Sequence, residues 1–213
     1  MKISASLLSM RDDLENKINI INDTDIDYIH LDIMDKKFVP NESYNYEEIK
    51  IIASNTKKSL DVHLMVENIN RYINDYAMYD TEYITIHYEA MTDLSSIDRI
   101  KSYGIKCGIS IKPNTDVEQI FDLLDKIDLV LIMSVEPGLG GQEFIESSVE
   151  KIKKLKTEIK NRNLDIKISV DGGINNNNVF KCIDNGADIV ILGSYLLKVS
   201  DIKKEIISIK TYN

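Results

Sequence analysis

Residues 1–13 read MKISASLLSMRDD, and the strand-like run at 2–6 (KISAS) decides between two folds. It is followed by Leu7, Leu8 and Ser9, whereas a dinucleotide-binding open sheet leaves its first strand through a glycine-rich turn. Seven further short, β-branched runs follow, at 28–33, 59–65, 83–88, 106–111, 128–134, 166–171 and 188–193. Between them lie helix-like stretches near 11–23, 45–55, 68–79, 95–103, 116–126, 147–162, 176–185 and 200–210. The stretch 147–162 shows the helical period well, with Val149, Ile152, Leu155 and Ile159 three or four residues apart. Asp116 and Asn175 stand where helices should be capped, and Gly104 and Gly186 where they should stop. Strands alternating with helices, without a linker or a change in composition, specify parallel βαβ units. The expected fold is therefore α/β, one closed (β/α)8 TIM barrel over residues 1–213, with a doubly wound open sheet as the alternative. There is no internal repeat beyond the βα period, and the asparagine tract 175–178 reads as a solvated turn that opens a helix.

A chain of 213 residues buries roughly 70–75% of its unfolded surface and needs no disulfide or metal staple to hold a core. Lys and Arg total 26 against 35 Asp and Glu, a formal charge of −9. That balance argues against nucleic acid and anionic membranes as partners, and leaves an anionic substrate to be held by local donors. Cys107 and Cys182 belong to no CxxC pair and read as small buried hydrophobes in a reducing compartment. The opening residues carry no apolar stretch of signal-peptide length, and no run approaches a membrane span, so a cytoplasmic location is expected.

In such a barrel the catalytic groups sit at the C-terminal ends of the strands. The three histidines of the chain, His30, His63 and His87, all fall there, in strands 2, 3 and 4. A lone strand-end histidine is more often a structural hydrogen-bonding group than a ligand; three of three weigh toward a site. His30 and Asp32 share a strand face, since side chains two apart point the same way. His63 would join them from the next strand and Asp171 from strand 7. Two imidazoles and two carboxylates suit Zn, Fe(II), Mn or Co; the alternative is buried polar packing or a phosphate loop without an ion. Strands 2 and 7 lie three steps apart around the ring, so the two carboxylates approach from nearly opposite sides. Such a pair can take a proton from one face of a carbon and return one to the other, inverting a stereocentre. An ion between them would stabilise an enediolate by Lewis acidity, and a bound carboxylate would keep a second oxygen free for the proton.

Met34, Met65 and Met133 end strands 2, 3 and 6; singly they are core filler, together they could line the mouth with soft apolar surface. The stretch 137–142 (PGLGGQ) suits a lid. Gly172-Gly173 and Gly193-Ser194 follow strands 7 and 8, where barrel amides and a helix N-terminus grip phosphate.

The motifs SASLL (4–8), HLDIMD (30–35) with FVPN (38–41), DVHLMV (61–66), HYEA (87–90), MSVEPGLGGQ (133–142), VDGGI (170–174) and Gly193-Ser194 run the length of the chain. As a set they resemble the ribulose-phosphate 3-epimerases. The resemblance implies a phosphate-binding (β/α)8 barrel that interconverts D-ribulose 5-phosphate and D-xylulose 5-phosphate in the pentose phosphate pathway. It implies one divalent ion per subunit, zinc first, with iron, manganese or cobalt as alternatives. His30, Asp32, His63 and Asp171 would be the ligands, and Asp32 and Asp171 also the acid/base pair. Ser6 and His63 would contact the sugar, and Met34, Met65 and Met133 would cushion the intermediate. Gly138, Leu139, Gly140, Gly141, Asp171, Gly172, Gly173, Gly193 and Ser194 would form the lid and the phosphate and substrate site. A homo-oligomer, dimer or hexamer, is also implied.

Three positions depart from the family pattern. Ala5 stands for the usual Pro. Lys36 replaces a Gly in the loop after strand 2; at positive φ a lysine costs on the order of 1 kcal/mol, so a differently shaped loop is expected there. Leu139 replaces an aromatic in the lid. His87 reads as a structural hydrogen-bonding group, and Asp61, on the same face as His63, as a residue that orients His63 from behind. The rival activities are D-allulose-6-phosphate 3-epimerase, against which VDGGI weighs, and a phosphate-barrel lyase, which lacks its strand-end DxK here. A barrel without activity would have lost a ligand, and none is missing.

Overall fold

In the computed structural model residues 1–212 are described; Asn213, the last residue of the expected barrel, lies outside them. Eight parallel strands close on themselves in chain order: β1 Lys2–Ser6, β2 Tyr28–Met34, β3 Ser59–Met65, β4 Thr81–His87, β5 Lys106–Ile111, β6 Leu129–Met133, β7 Lys167–Asp171 and β8 Ile189–Leu192. The ring is completed by β1 pairing with β8. Around it lie α1 Leu14–Asn22, α2 Tyr46–Asn55, α3 Ile69–Tyr76, α4 Ser95–Ser102, α5 Ser148–Asn161, α6 Val179–Asp184 and α7 Ile202–Lys210. The open sheet is thereby excluded.

Period-two alternation explains the barrel. On β2, Ile29, Leu31 and Ile33 join the large core that also contains Ile18, Ile52 and Ile100 of the helices. Tyr28 packs instead inside the ring with Tyr83, Leu129, Leu131, Ile189 and Ile191. Both faces of each strand are therefore buried, as parallel sheets require. The same alternation turns His30 and Asp32 inward on β2, and Asp61 and His63 inward on β3.

Three local expectations are corrected. Residues 117–126 form a 3-10 helix, not an α-helix. Its buried residues, Val117, Ile120 and Leu124, are three and four apart, a spacing that an α-helix would also show. The stretch 11–23 divides into a 3-10 segment, Leu8–Asp13, and α1. Arg11 ties that segment to α2 by a two-pronged contact with Glu48, at 2.8 and 2.7 Å. Asn175 does not cap α6. Its side chain accepts from the Asn177 amide at 2.8 Å, an Asx turn that delays the helix to Val179. Gly104 and Gly186 do follow helix ends, both with positive φ.

At Lys36 the loop after β2 takes the left-handed conformation, with φ 60°. The lysine adopts the strained backbone, its amide bonding the Asn41 carbonyl at 3.0 Å and its ammonium reaching Glu42 at 2.6 Å.

Inside the ring, a Cβ at Gly108 would press on Thr85 Oγ1 and lie 2.9 Å from Leu129 Cδ2. Gly108→Ala should lower the unfolding free energy by about 1–3 kcal/mol in urea titrations. An unchanged midpoint would mean that this layer is looser than described.

Candidate active site

The register of β2 on β3 sets Asp32 beside His63, and His30 beside Asp61. Asp171 ends β7 and reaches the same point from across the ring. His30 Nε2 lies 3.4 Å from Asp32 Oδ1 and 4.0 Å from Asp171 Oδ2. His63 Nδ1 lies 3.5 Å and 4.0 Å from the same two oxygens. One ligand atom from each of the four residues falls within 4.8 Å of every other.

The chemistry of this cluster fits a cation. Both facing nitrogens, His30 Nε2 and His63 Nδ1, are buried without a hydrogen-bond partner, a condition that costs about 1–3 kcal/mol per group. Ligand atoms bonded at about 2.1 Å to a tetrahedral ion lie roughly 3.4 Å apart, the spacing of both imidazoles from Asp32, while Asp171 stands wider at 4.0 Å. The four residues could hold a divalent metal ion.

Groups behind the cluster orient it. Asp61 Oδ2 accepts from Ser4 Oγ at 2.9 Å and faces His30 Nδ1 at 2.8 Å. Asp61 thus holds His30, not His63 as expected: register neighbours on adjacent strands are about 4.8 Å apart, nearer than positions two apart on one strand. Ser6 Oγ donates to Asp32 Oδ2 at 2.8 Å, which occupies one of the two lone pairs of that oxygen and leaves the other for a proton. His87 is not part of the four-residue cluster. Its Nε2 lies 2.9 Å from His63 Nε2, and its Nδ1 3.0 Å from Glu89 Oε2.

Burial separates the two carboxyls. Desolvation opposes the Asp32 charge, but His30 and then His63 outweigh it and hold this carboxyl far below the usual range. For Asp171, burial and then the Asp32 charge push it up to about 7. Burial disfavours the His30 cation too, yet Asp61 and Asp32 raise it well above the ordinary imidazole value. His63 and His87 are pushed down by burial, His87 to about 4.

Above the cluster opens a cavity of about 340 Å3. Ser6, Asp32, Asp171, the three methionines Met34, Met65 and Met133, and the glycines 138, 140, 141, 172, 173 and 193 with Leu139 and Ser194 all line it. His30 and His63 lie beneath with no exposed surface. Gly172 and Gly173 have φ of 118° and 65°, and a Cβ at Gly173 would lie 2.6 Å from the Phe144 amide nitrogen. Only glycine lets the backbone turn there toward the cavity. The turn after β8 brings Ser194 to the rim without a regular helix; α7 starts at Ile202. The lid is latched: Asn41 Nδ2 donates to the Gly138 carbonyl at 2.7 Å, and Gln142 Nε2 to those of Glu136 and Leu139 at 2.6 and 2.8 Å. Sequence reading quoted Ser4, Asn41 and Glu89 within motifs but gave them no role, and it missed Lys198. Lys198 is the one cationic side chain among the described lining residues, and nothing in its local sequence marks it.

The sequence model of the ribulose-phosphate 3 epimerase family matches residues 2–197. The chain is 38% identical over 213 residues to the ribulose-phosphate 3-epimerase of Bacillus subtilis (strain 168), covering 99% of this chain and 98% of that protein. It is 38% identical over 204 residues to the ribulose-phosphate 3-epimerase of Helicobacter pylori (strain J99), covering 95% and 94%. Among solved structures, 3-hexulose-6-phosphate synthase from Salmonella typhimurium superposes with a TM-score of 0.66 at 20% identity over 98% of this chain and 96% of that one, a likeness of fold.

The raised Asp171 predicts a pH signature in the metal-free protein. A carboxyl whose folded pKa exceeds its unfolded value stabilises fully below the unfolded value, near 4, and loses that contribution as pH rises through about 7. Asp171→Asn removes the loss. After chelation, its Tm relative to the unsubstituted protein should climb between pH 5 and pH 8; a pH-independent difference would contradict this burial of charge.

Proposed function

The chain belongs to the ribulose-phosphate 3-epimerase family, and from that premise we propose that it inverts C3 of D-ribulose 5-phosphate to give D-xylulose 5-phosphate. The observation that carries the reading is the pair of carboxyls, Asp32 and Asp171, converging on one point from β2 and β7 with their proton affinities driven apart. Without an ion, Asp32 is a carboxylate near neutral pH and Asp171 is part-protonated, the asymmetry from which a two-base inversion starts. In one direction Asp32 takes the C3 proton from one face while Asp171 delivers its own to the other; in reverse the roles exchange. The C3 bond to hydrogen breaks on one side and a new one forms on the other, with no net redox change.

His30, Asp32, His63 and Asp171 would hold a divalent ion, zinc first. When bound it supplies Lewis acidity to the substrate oxygens beside C3, which brings a carbon acid within reach of a carboxylate base. Ser6 keeps Asp32 oriented and faces the sugar. Met34, Met65 and Met133 present apolar, polarisable surface that keeps water from the reacting carbon. The lid 138–141 closes over the ligand, and Gly172, Gly173, Gly193 and Ser194 offer amides to the phosphate. Lys198 adds the positive charge that a phosphate dianion needs in a protein of net charge −9. On the ground of family, residues 1–213 act as one catalytic domain within a cytoplasmic homo-oligomer of pentose phosphate metabolism.

The test is conversion of D-ribulose 5-phosphate before and after chelation, with D-allulose 6-phosphate run in parallel. Activity should disappear on ion removal, return with zinc, and favour the pentulose; turnover indifferent to chelation, or faster on the hexulose, would overturn the assignment. Asp32→Asn and Asp171→Asn should each lose at least about a hundredfold in kcat. Lys198→Met should raise KM severalfold with kcat nearly unchanged, and an unchanged KM would remove Lys198 from the phosphate site.

A further inference from the structure

Behind His63 runs a hydrogen-bonded chain that the proposed reaction does not use. Glu89, just past β4, accepts at Oε1 from the Lys112 amide at 2.8 Å and from the Thr115 hydroxyl. Its Oε2 faces His87 Nδ1 at 3.0 Å. His87 Nε2 faces His63 Nε2 at 2.9 Å. The far side of His63, Nδ1, is buried and aimed at the metal cluster without a hydrogen-bond partner.

The direction of each bond follows from chemistry. A carboxylate only accepts, so His87 carries its proton on Nδ1 and presents a bare Nε2. Two ring nitrogens 2.9 Å apart share one proton, and here it belongs to His63 Nε2. A neutral His63 then has its lone pair on Nδ1, the form that ligates a cation. The competing pull is Asp32 Oδ1, which would draw the proton to Nδ1; at 3.5 Å it is too far for a good hydrogen bond. The carboxylate of Glu89 at 3.0 Å prevails.

We propose that Glu89, acting through His87, is a positioning residue that places the proton of His63 on Nε2 and so keeps Nδ1 bare to receive a divalent cation. The proposal rests on the reading that the four-residue cluster holds such an ion. His30 is served the same way at shorter range, by Asp61 directly at its Nδ1. The two imidazoles thus each stand before a carboxylate, one in contact and one through an intervening ring, and a carboxylate behind a ligating histidine both fixes its tautomer and raises its basicity.

Glu89→Gln is the discriminating substitution because it keeps the shape and reverses the polarity. The Lys112 amide is a donor, so it selects the carbonyl oxygen of the new amide. The NH2 then faces His87 Nδ1 and donates to it. His87 must donate from Nε2, His63 Nε2 must accept, and the proton of His63 moves to Nδ1, toward the cluster. Glu89→Ala removes the carboxylate without supplying a donor and leaves either direction open.

The experiment pairs two readouts on the unsubstituted protein and both variants. Two-bond 1H–15N spectra of the chelated protein report the tautomers of His63 and His87. Competition against a coloured chelator reports zinc affinity. The expected result is His87 Nδ1–H in the unsubstituted protein, His87 Nε2–H in Glu89→Gln, and zinc binding at least about tenfold weaker in Glu89→Gln, with Glu89→Ala in between. A packing role would reverse that order, the isosteric variant being the milder. Unchanged tautomers with unchanged zinc affinity, or Glu89→Ala weaker than Glu89→Gln, would overturn the proposal. The tautomers need no ion, so they decide the role of Glu89 even if the unsubstituted protein binds no zinc, a result that would overturn the metal reading instead.

Discussion

Two buried imidazole nitrogens without partners face one buried and one half-buried carboxyl, and the rest of the structure is arranged around that constraint. Such a cluster has several ways to meet its desolvation: a proton on His30, a proton on Asp171, or a cation among all four. The first two are visible in the directions of the shifts, His30 raised by Asp61 and Asp32, Asp171 raised by burial. The third would displace the proton of His30, since a ligating nitrogen must be bare, so cation binding and proton release should be one event. The site is thus poised between protonated and metal-bound forms, and the groups behind it bias the choice.

The closed barrel is what makes the constraint tolerable. Strands buried on both faces place apolar side chains between ring and helices, while the interior carries Ser4, His30, Asp61, Thr85 and Ser110 in strands 1 to 5 and aliphatic residues in strands 6 and 8. Of these, Asp61, held by Ser4, supports the cluster at His30; the apolar half fills the remaining space. Negative net charge gives no global attraction for a phosphorylated sugar. In the proposed function local amides at Gly172, Gly173 and Gly193, with Lys198, would supply it, in a cavity whose other charges are the acidic Asp32, Glu136 and Asp171.

Much of this was legible because it depends on periods of two and on strand ends. The βα alternation and the inward faces of His30, Asp32 and His63 need no knowledge of which residue pairs with which. What depends on register was not legible. Asp61 shares a face with His63, yet the parallel pairing sets it beside His30. Glu89 and Thr115 come from different loops and meet only because β4 and β5 are neighbours. The 3-10 form of 117–126 differs from an α-helix by a fraction of a residue per turn, too little for an apolar pattern to resolve. Lys36 shows the converse: the sequence breaks a local rule, and the backbone holds its left-handed turn regardless.

The central claim is that two carboxyls act from opposite faces of one carbon. It is tested most directly by the first turnover of D-ribulose 5-phosphate in D2O on the zinc-loaded protein, with C3 of substrate and product read separately by NMR. Two bases predict D-xylulose 5-phosphate that carries deuterium at C3 from the first turnover, drawn from the solvent-exchanged acid, while unreacted substrate keeps its hydrogen. Product that retains the substrate's own C3 hydrogen would mean that a single group carries the proton across, and would contradict the account.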